Sequence, residues 1–158
     1  MDGVLTDGSL LLLPNNVQVR KMNIKDGLAL KMAIIKGYNV IVISGSYSEE
    51  AKSRLEKLGI SKVYFSINNK FEFLSSLLKK EQLTWEKILF MGDDLPDLQA
   101  MEEVGVACCP ADAVSEIKSI SHYISPVKGG KGCVRDVIEK VLKLNGNWQH
   151  EPEITSNL

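Results

Sequence analysis

The sequence predicts an α/β fold, a doubly wound parallel sheet of Rossmann-like type that carries one small β-hairpin. Three observations predict it. Short apolar runs alternate with helical segments along the 158 residues, the order that builds βαβ units with helices on both faces of a parallel sheet. The helical segments begin at capping residues and stop at glycines. Three carboxylates crowd into Met91-Gly92-Asp93-Asp94-Leu95-Pro96-Asp97, immediately after the apolar run Ile88-Leu89-Phe90. They therefore sit at the carboxyl end of a predicted strand, the edge where open α/β sheets hold their ligands.

Taken in order, Ser9 to Leu13 and Val17 to Met22 are β-rich, and Pro14-Asn15-Asn16 between them has turn composition, which predicts the hairpin. Asp26 is placed to cap a helix running to Lys36, with Leu28, Leu30, Met32, Ala33, Ile34 and Ile35 on its apolar face and Gly37 as its stop. Tyr38 to Ile43 reads as a buried strand ending in Ser44-Gly45. Ser48 caps a helix to Leu58, helped by Glu49 and Glu50 near its positive end, and Gly59 ends it. Lys62 to Phe65 is a short strand, and Asn68 or Asn69 opens a helix to Glu81. Lys87 to Met91 is the next strand and Leu95 to Glu103 the helix after it. Val104 to Cys108, Ser115 to Ile120, Tyr123-Ile124 and Val134 to Leu144 complete the alternation as strand, helix, strand and helix. Residues 1 to 144 form one domain by size, and the polar tail from Asn145 to Leu158 is expected to fray. A chain of this type should open with a strand leading into Asp2, and the sequence as printed leaves no room for one.

Bulk composition narrows the function classes. Hydrophobic residues make up 44% and charged residues 25%, ordinary for a globular protein, and a net charge of −1 gives no electrostatic case for nucleic acid or an anionic membrane. No apolar run approaches the roughly 20 residues of a membrane helix. Cys108, Cys109 and Cys133 are odd in number and lack Cys-x-x-Cys spacing, which argues against a disulfide frame or a zinc site and for reduced thiols in a cytoplasmic protein. Neither His122 nor His150 is tied to a cysteine by the sequence.

The carboxylates carry the chemistry. Asp93, Asp94 and Asp97 repel one another unless a cation neutralises them, and hard oxygen ligands suit Mg²⁺. Helix capping explains one or two aspartates there, not three. Met1-Asp2-Gly3-Val4-Leu5-Thr6-Asp7-Gly8 reads as the other half of such a site.

Four segments in this order resemble the motifs of the haloacid dehalogenase superfamily: Asp2-Gly3-Val4-Leu5-Thr6-Asp7-Gly8, Ile43-Ser44-Gly45, Lys70, and Gly92-Asp93-Asp94 with Asp97. The resemblance implies that Asp2 exchanges the proton of the leaving alcohol and of water, and that Ser44 and Gly45 hold phosphoryl oxygens. It further implies that Lys70 balances phosphate charge and that Asp93 binds Mg²⁺ directly, alongside the Asp2 backbone carbonyl. Asp94 would act through water or a hydrogen bond, and Asp97 would support the site. Asn69 stands where the family often has Asp. The attacking aspartate of the family would precede Met1, so the chain as printed is expected to hydrolyse phosphate esters slowly.

The remainder resembles the branch without a large cap domain that hydrolyses 3-deoxy-D-manno-octulosonate 8-phosphate (KDO 8-phosphate) in lipopolysaccharide synthesis. Ile24-Lys25-Asp26-Gly27, Cys109-Pro110-Ala111-Asp112-Ala113 and Gly129-Gly130-Lys131-Gly132-Cys133-Val134-Arg135-Asp136 carry that likeness. It implies a homotetramer in which the hairpin and the glycine-rich segment help to close a neighbour's site. A plain loop and a phosphate cradle are the other readings of those glycines. Sister enzymes for nine-carbon sialic-acid-type 9-phosphates tend to have Glu where this chain has Ser46, which favours the eight-carbon sugar. Arg54 either reaches the sugar carboxylate or pairs with Glu50, four residues back. A catalytically silent, oligomeric relative of the same fold is the alternative of a different class.

Overall fold

The computed structural model describes residues 1–15 and 17–149. The hairpin consists of β1 (Leu11–Leu13) and β2 (Val17–Val19), antiparallel with Leu12 opposite Gln18. Both strands are shorter than the β-rich runs predicted, and Met22 instead bridges back to Thr6.

Helix α1 (Ile24–Ile35) starts earlier than expected because Asn23, not Asp26, caps it by accepting from the Lys25 N–H. Asp26 is buried and serves a different helix, as described below. Strand β3 (Ile41–Ile43), helix α2 (Glu49–Lys57, capped by Ser48) and strand β4 (Lys62–Tyr64) form one parallel unit. Helix α3 (Lys70–Glu81) opens at Asn69, whose side chain accepts from the Glu72 N–H. Strand β5 (Leu89–Met91) follows.

The carboxylate-rich stretch then forms a 3-10 turn over Leu95–Asp97 before helix α4 (Leu98–Glu103), so the single helix predicted there is split in two. Pro96 has no N–H to give and suits a first turn. Strand β6 (Val106–Cys109), helix α5 (Ser115–Ile120), strand β7 (Tyr123–Ile124) and helix α6 (Cys133–Leu144) complete the chain. Of the predicted tail, residues 150–158 lie outside the described residues. Nearer the helix, the Arg135 guanidinium lies 4.9 Å from the Trp148 ring centroid.

All five long-range strands are parallel to their partners, as the βαβ order requires, but they form two ladders. One is β3-β4 and the other β5-β6-β7. Between β3 and β5 lies a cavity of about 650 Å³ lined by Met1, Val42, Leu74, Phe90 and other apolar residues. The core divides accordingly. Val4, Leu5, Leu30, Leu55, Leu58 and Ile60 pack on one side, while Leu74, Leu78, Met101, Ala107 and Ile117 pack on the other. Each such side chain contributes roughly 1.5–3 kcal/mol by leaving water. No helix among the described residues is long and apolar enough to cross a membrane. The carboxyl ends of β3 and β5 lie at the same edge, and the loop from Asp2 to Gly8 runs between them.

Candidate active site

Beyond β3 the chain passes through Ser44, which stays on the ladder. Its N–H donates to the Tyr64 carbonyl at 2.9 Å and its carbonyl accepts from the Ile67 N–H at 3.0 Å. Ser44 is buried, and its hydroxyl is 3.1 Å from that of Ser46. Ser46 in turn donates to Asp2 Oδ2 at 2.7 Å. The other oxygen, Asp2 Oδ1, accepts from Arg20 Nε at 2.9 Å and from the Thr6 hydroxyl at 3.3 Å. Both oxygens of Asp2 are thus held. Burial pushes its carboxyl up, but hydrogen bonds from Ser46 and Arg20 and the Arg20 charge outweigh burial and leave it below the usual range.

Beyond β5, Gly92 brings the backbone against Asp97 and Met101 so closely that a Cβ there would lie 2.5 Å from Asp97 Cβ. That approach lets Asp97 turn back on the strand end. Asp97 Oδ2 accepts from the Asp93 N–H at 3.1 Å, and Oδ1 accepts from Lys70 Nζ at 2.5 Å. Lys70 and Asp97 are buried together, with side chains 12% and 5% exposed. Burial first, then the charge of Asp97, push the Asp93 carboxyl up to about 6, and the charges of the Met1 nitrogen and of Lys70 do not draw it down far enough to offset them. A divalent cation on Asp93 would reverse both effects, so this carboxylate fits a hard cation. Among the described residues no set of three His, Cys, Asp or Glu side chains forms a metal cage.

The two halves meet at Gly3. Its φ is +73°, and a Cβ there would stand 1.8 Å from Asp93 Oδ2. Only glycine allows the peptide after Asp2 to lie on the Asp93 carboxylate. The backbone nitrogen of Met1 is buried among the charges of Lys70, Asp97, Asp2 and Asp93. Asp2, Ser44, Ser46, Lys70, Asp93 and Asp97 therefore converge at one edge, from motifs spread over residues 2 to 97.

Other candidates stand apart from this centre. Asp94 is exposed and accepts from the Leu95 N–H, a cap rather than a ligand-facing group. Gly45 is exposed beside the Ile67 carbonyl. Arg54 lies over Gly27 of α1, in a shallow surface pocket with Glu49, Glu50, Ser53 and Lys57. It makes no ion pair with Glu50, whose carboxylate accepts from Ser48 instead. The cysteines take no part. All three are buried free thiols, and burial pushes Cys108 and Cys133 up to about 12. His122 is structural, accepting from the Ala107 N–H at 3.0 Å.

Sequence reasoning missed Arg20. Its side chain is only 7% exposed, and its Nε touches Asp2 directly. A basic residue within a β-rich run has no signature that separates it from a solvated one.

The chain is similar to known proteins over most of its length. The family model of the haloacid dehalogenase-like hydrolases matches residues 63–137. The 3-deoxy-D-manno-octulosonate 8-phosphate phosphatase KdsC of Escherichia coli K12 is 32% identical over 146 residues, spanning 92% of this chain and 78% of that protein. Among solved structures, the Moraxella catarrhalis 3-deoxy-D-manno-octulosonate 8-phosphate phosphatase, in complex with magnesium, phosphate and KDO, superposes with a TM-score of 0.90. It is 31% identical and matches 93% of this chain and 84% of that one. The cobalt-bound phosphatase of Haemophilus influenzae gives a TM-score of 0.86 at 32% identity, over 92% and 85% of the two chains.

Proposed function

This chain belongs to the haloacid dehalogenase-like hydrolases and is a phosphoric monoester hydrolase, and on that premise we propose that it hydrolyses KDO 8-phosphate to KDO and phosphate with the help of Mg²⁺. The observation that carries the reading is the contact of Gly3 with Asp93, which brings the Asp2 and Lys70–Asp97 halves to one point. Resemblance over nearly the whole chain to phosphatases of that sugar supports the substrate. We place the enzyme in lipopolysaccharide synthesis and in the cytoplasm, the latter in keeping with three free thiols.

Phosphoryl transfer demands positioning and charge neutralisation more than covalent ingenuity from the protein. Mg²⁺, held by Asp93 and the Asp2 backbone carbonyl, would supply charge stabilisation at the phosphoryl group. Lys70 neutralises phosphoryl oxygens while Asp97 fixes its ammonium. Ser44 donates to the same oxygens. In the version carrying Asp ahead of Met1, that aspartate takes the phosphoryl group as the bond to the alcohol oxygen breaks and Asp2 gives that oxygen a proton, and Asp2 then takes a proton from the water that displaces phosphate from the aspartate. Arg20 and Ser46 orient the Asp2 carboxylate for both transfers. Gly45 follows Ser44 and Asp94 follows Asp93, so both lie at the rim of the site rather than among the reacting groups, and Arg54 on α2 would meet the sugar carboxylate only where the bound sugar extends that far. A glutamate in place of Ser46 would set a second carboxylate against Asp2, so the nine-carbon alternative calls for a different local arrangement.

The leucine-rich hairpin supports a homotetramer. Leu11 and Leu12 are 60% and 70% exposed in the single chain, and neighbouring Leu10, Leu13, Val17 and Val19 are exposed too.

The test is Mg²⁺-dependent phosphate release from KDO 8-phosphate and from a nine-carbon 9-phosphate, assayed side by side. It uses the chain itself, a version carrying Asp ahead of Met1, and Asp93→Ala in that version. The extended protein should be much the faster, should prefer the eight-carbon sugar and should lose Mg²⁺-dependent turnover on Asp93→Ala. Preference for the nine-carbon sugar would overturn the substrate assignment. No hydrolysis of either would favour a silent relative.

A further inference from the structure

The glycines of the segment before α6 are neither free nor exposed. Gly129, Gly130 and Gly132 are buried, and the first two lie as a strap across the Gly3–Asp7 backbone of the same chain. The Gly130 N–H donates to the Val4 carbonyl at 2.9 Å, and the Cys133 thiol donates to the same oxygen at 3.2 Å. A Cβ on Gly129 would lie 1.9 Å from the Gly3 carbonyl oxygen, and one on Gly130 would lie 2.5 Å from the Asp7 nitrogen. Both obstacles are backbone, which cannot swing aside as a side-chain end does. On its other face Gly3 presses on Asp93. Strap, Gly3 peptide and Asp93 carboxylate are therefore stacked in direct contact, with no space for a side chain between them.

Two carboxylates from separate elements hold the strap in place. Asp112, in the loop after β6, accepts from the Gly129 N–H at 2.9 Å, beside a backbone bond from the Ala111 N–H to the Val127 carbonyl. Asp26 of α1 accepts from the Arg135 N–H at 2.7 Å, at the opening turn of α6. Asp112 is exposed and contacts none of the reacting groups, yet its bond ends on the residue that abuts Gly3.

We propose that Asp112 is a positioning residue for phosphoryl transfer: by anchoring Gly129 it seats the Gly3 peptide on Asp93 and so fixes Asp2 relative to the metal-binding carboxylate. The inference rests on the roles given above to Asp2 and Asp93. A displacement of about 1 Å between such groups costs on the order of a hundredfold in rate, so a single anchoring bond has leverage on kcat.

The experiment combines hydrogen exchange with kinetics on Asp112→Ala, Asp112→Asn and Gly129→Ala. Exchange is read on the chain itself at residues 3–8, with α3 as internal reference, and turnover on the version carrying Asp ahead of Met1. Asp112→Ala should raise exchange at residues 3–8 about tenfold, leaving α3 unchanged. It should lower kcat by about ten- to a hundredfold with little change in KM. Asp112→Asn keeps an acceptor oxygen and should stay near wild type. Gly129→Ala should reproduce or exceed the alanine effect at residues 3–8. Unchanged exchange there in Asp112→Ala, a rise in KM alone, or an asparagine variant as impaired as alanine would each overturn the proposal. If exchange responds as expected while even the unsubstituted extended protein releases no phosphate, the phosphatase reading fails and the anchoring of the strap stands.

Discussion

Arg20 donates from Nε to Asp2 Oδ1 at 2.9 Å, joining the end of the exposed hairpin to the carboxylate proposed to exchange the substrate's proton. The chain turns from β2 into this contact within one residue. Whatever covers the hairpin therefore also bears on the placement of Asp2.

Replacing Arg20 by Ala should leave Asp2 held by Ser46 and Thr6 alone. We expect kcat for phosphate release to fall by about ten- to a hundredfold, with KM changed less. The Arg20 bond and charge help to keep the Asp2 carboxyl low, so the acid limb of the pH–rate profile should move upward in the variant. Lysine at this position should restore the charge and only part of the rate, because it lacks the guanidinium geometry. An unshifted acid limb in Arg20→Ala would remove Arg20 from the acid–base system.

Lys70 and Asp97 should be inseparable in stability. Lys70→Met leaves the Asp97 carboxylate buried without its cation, a loss of about 3–5 kcal/mol for a truncated buried pair. Urea unfolding should show this as a lower midpoint at unchanged slope. The double variant Lys70→Met with Asp97→Leu should recover part of the loss, since it leaves neither charge unpaired. A loss in the single variant below about 1 kcal/mol would show the pair to be water-screened, as surface pairs are.

Asp26 should make stability depend on pH in the opposite sense to Asp2. Burial raises the Asp26 carboxyl, against hydrogen bonds from the start of α6, and Oδ2 has no hydrogen-bond partner. The folded state thus holds this proton more tightly than the unfolded chain. Its contribution is complete below the unfolded value of 3.8 and is lost as pH rises through the raised folded value. Asp2, whose carboxyl is lowered, contributes above 3.8 and loses that contribution as pH falls through its folded value. Thermal unfolding of Asp26→Asn should accordingly gain on wild type as pH rises above 3.8, while Arg135 keeps an acceptor. A difference between the two proteins that does not change with pH would show that Asp26 is ionised equally in both states.

The hairpin should govern assembly. Light scattering is expected to give a tetramer, and Leu12→Lys, at the most exposed leucine of β1, should yield smaller species without lowering the unfolding midpoint of the isolated chain. A wild-type monomer at micromolar concentration would remove the shared-site reading of the hairpin.

Local chemistry made much of this protein legible from sequence. Ser48 and Asn69 cap the helices expected of them, because an N-cap is settled by a few neighbouring atoms. The strand ends at Ser44 and Asp93 follow from apolar runs, and motif order alone points to Ser44, Lys70, Asp93 and Asp2. Tertiary structure decided what long-range contact alone can decide. Asp26 reads as a cap for its own helix, yet it bonds the Arg135 N–H, 109 positions away. Arg20 has no motif, and only the return of the hairpin onto the Asp2 loop gives it a partner. Composition alone leaves the glycines at 129 and 130 open between a segment that closes a neighbour's site, a plain loop and a phosphate cradle. They are held because the Gly3–Asp7 backbone fills the space a Cβ would need. Periodicity and capping are written in adjacent residues, whereas close packing between distant backbones depends on where the whole chain places them.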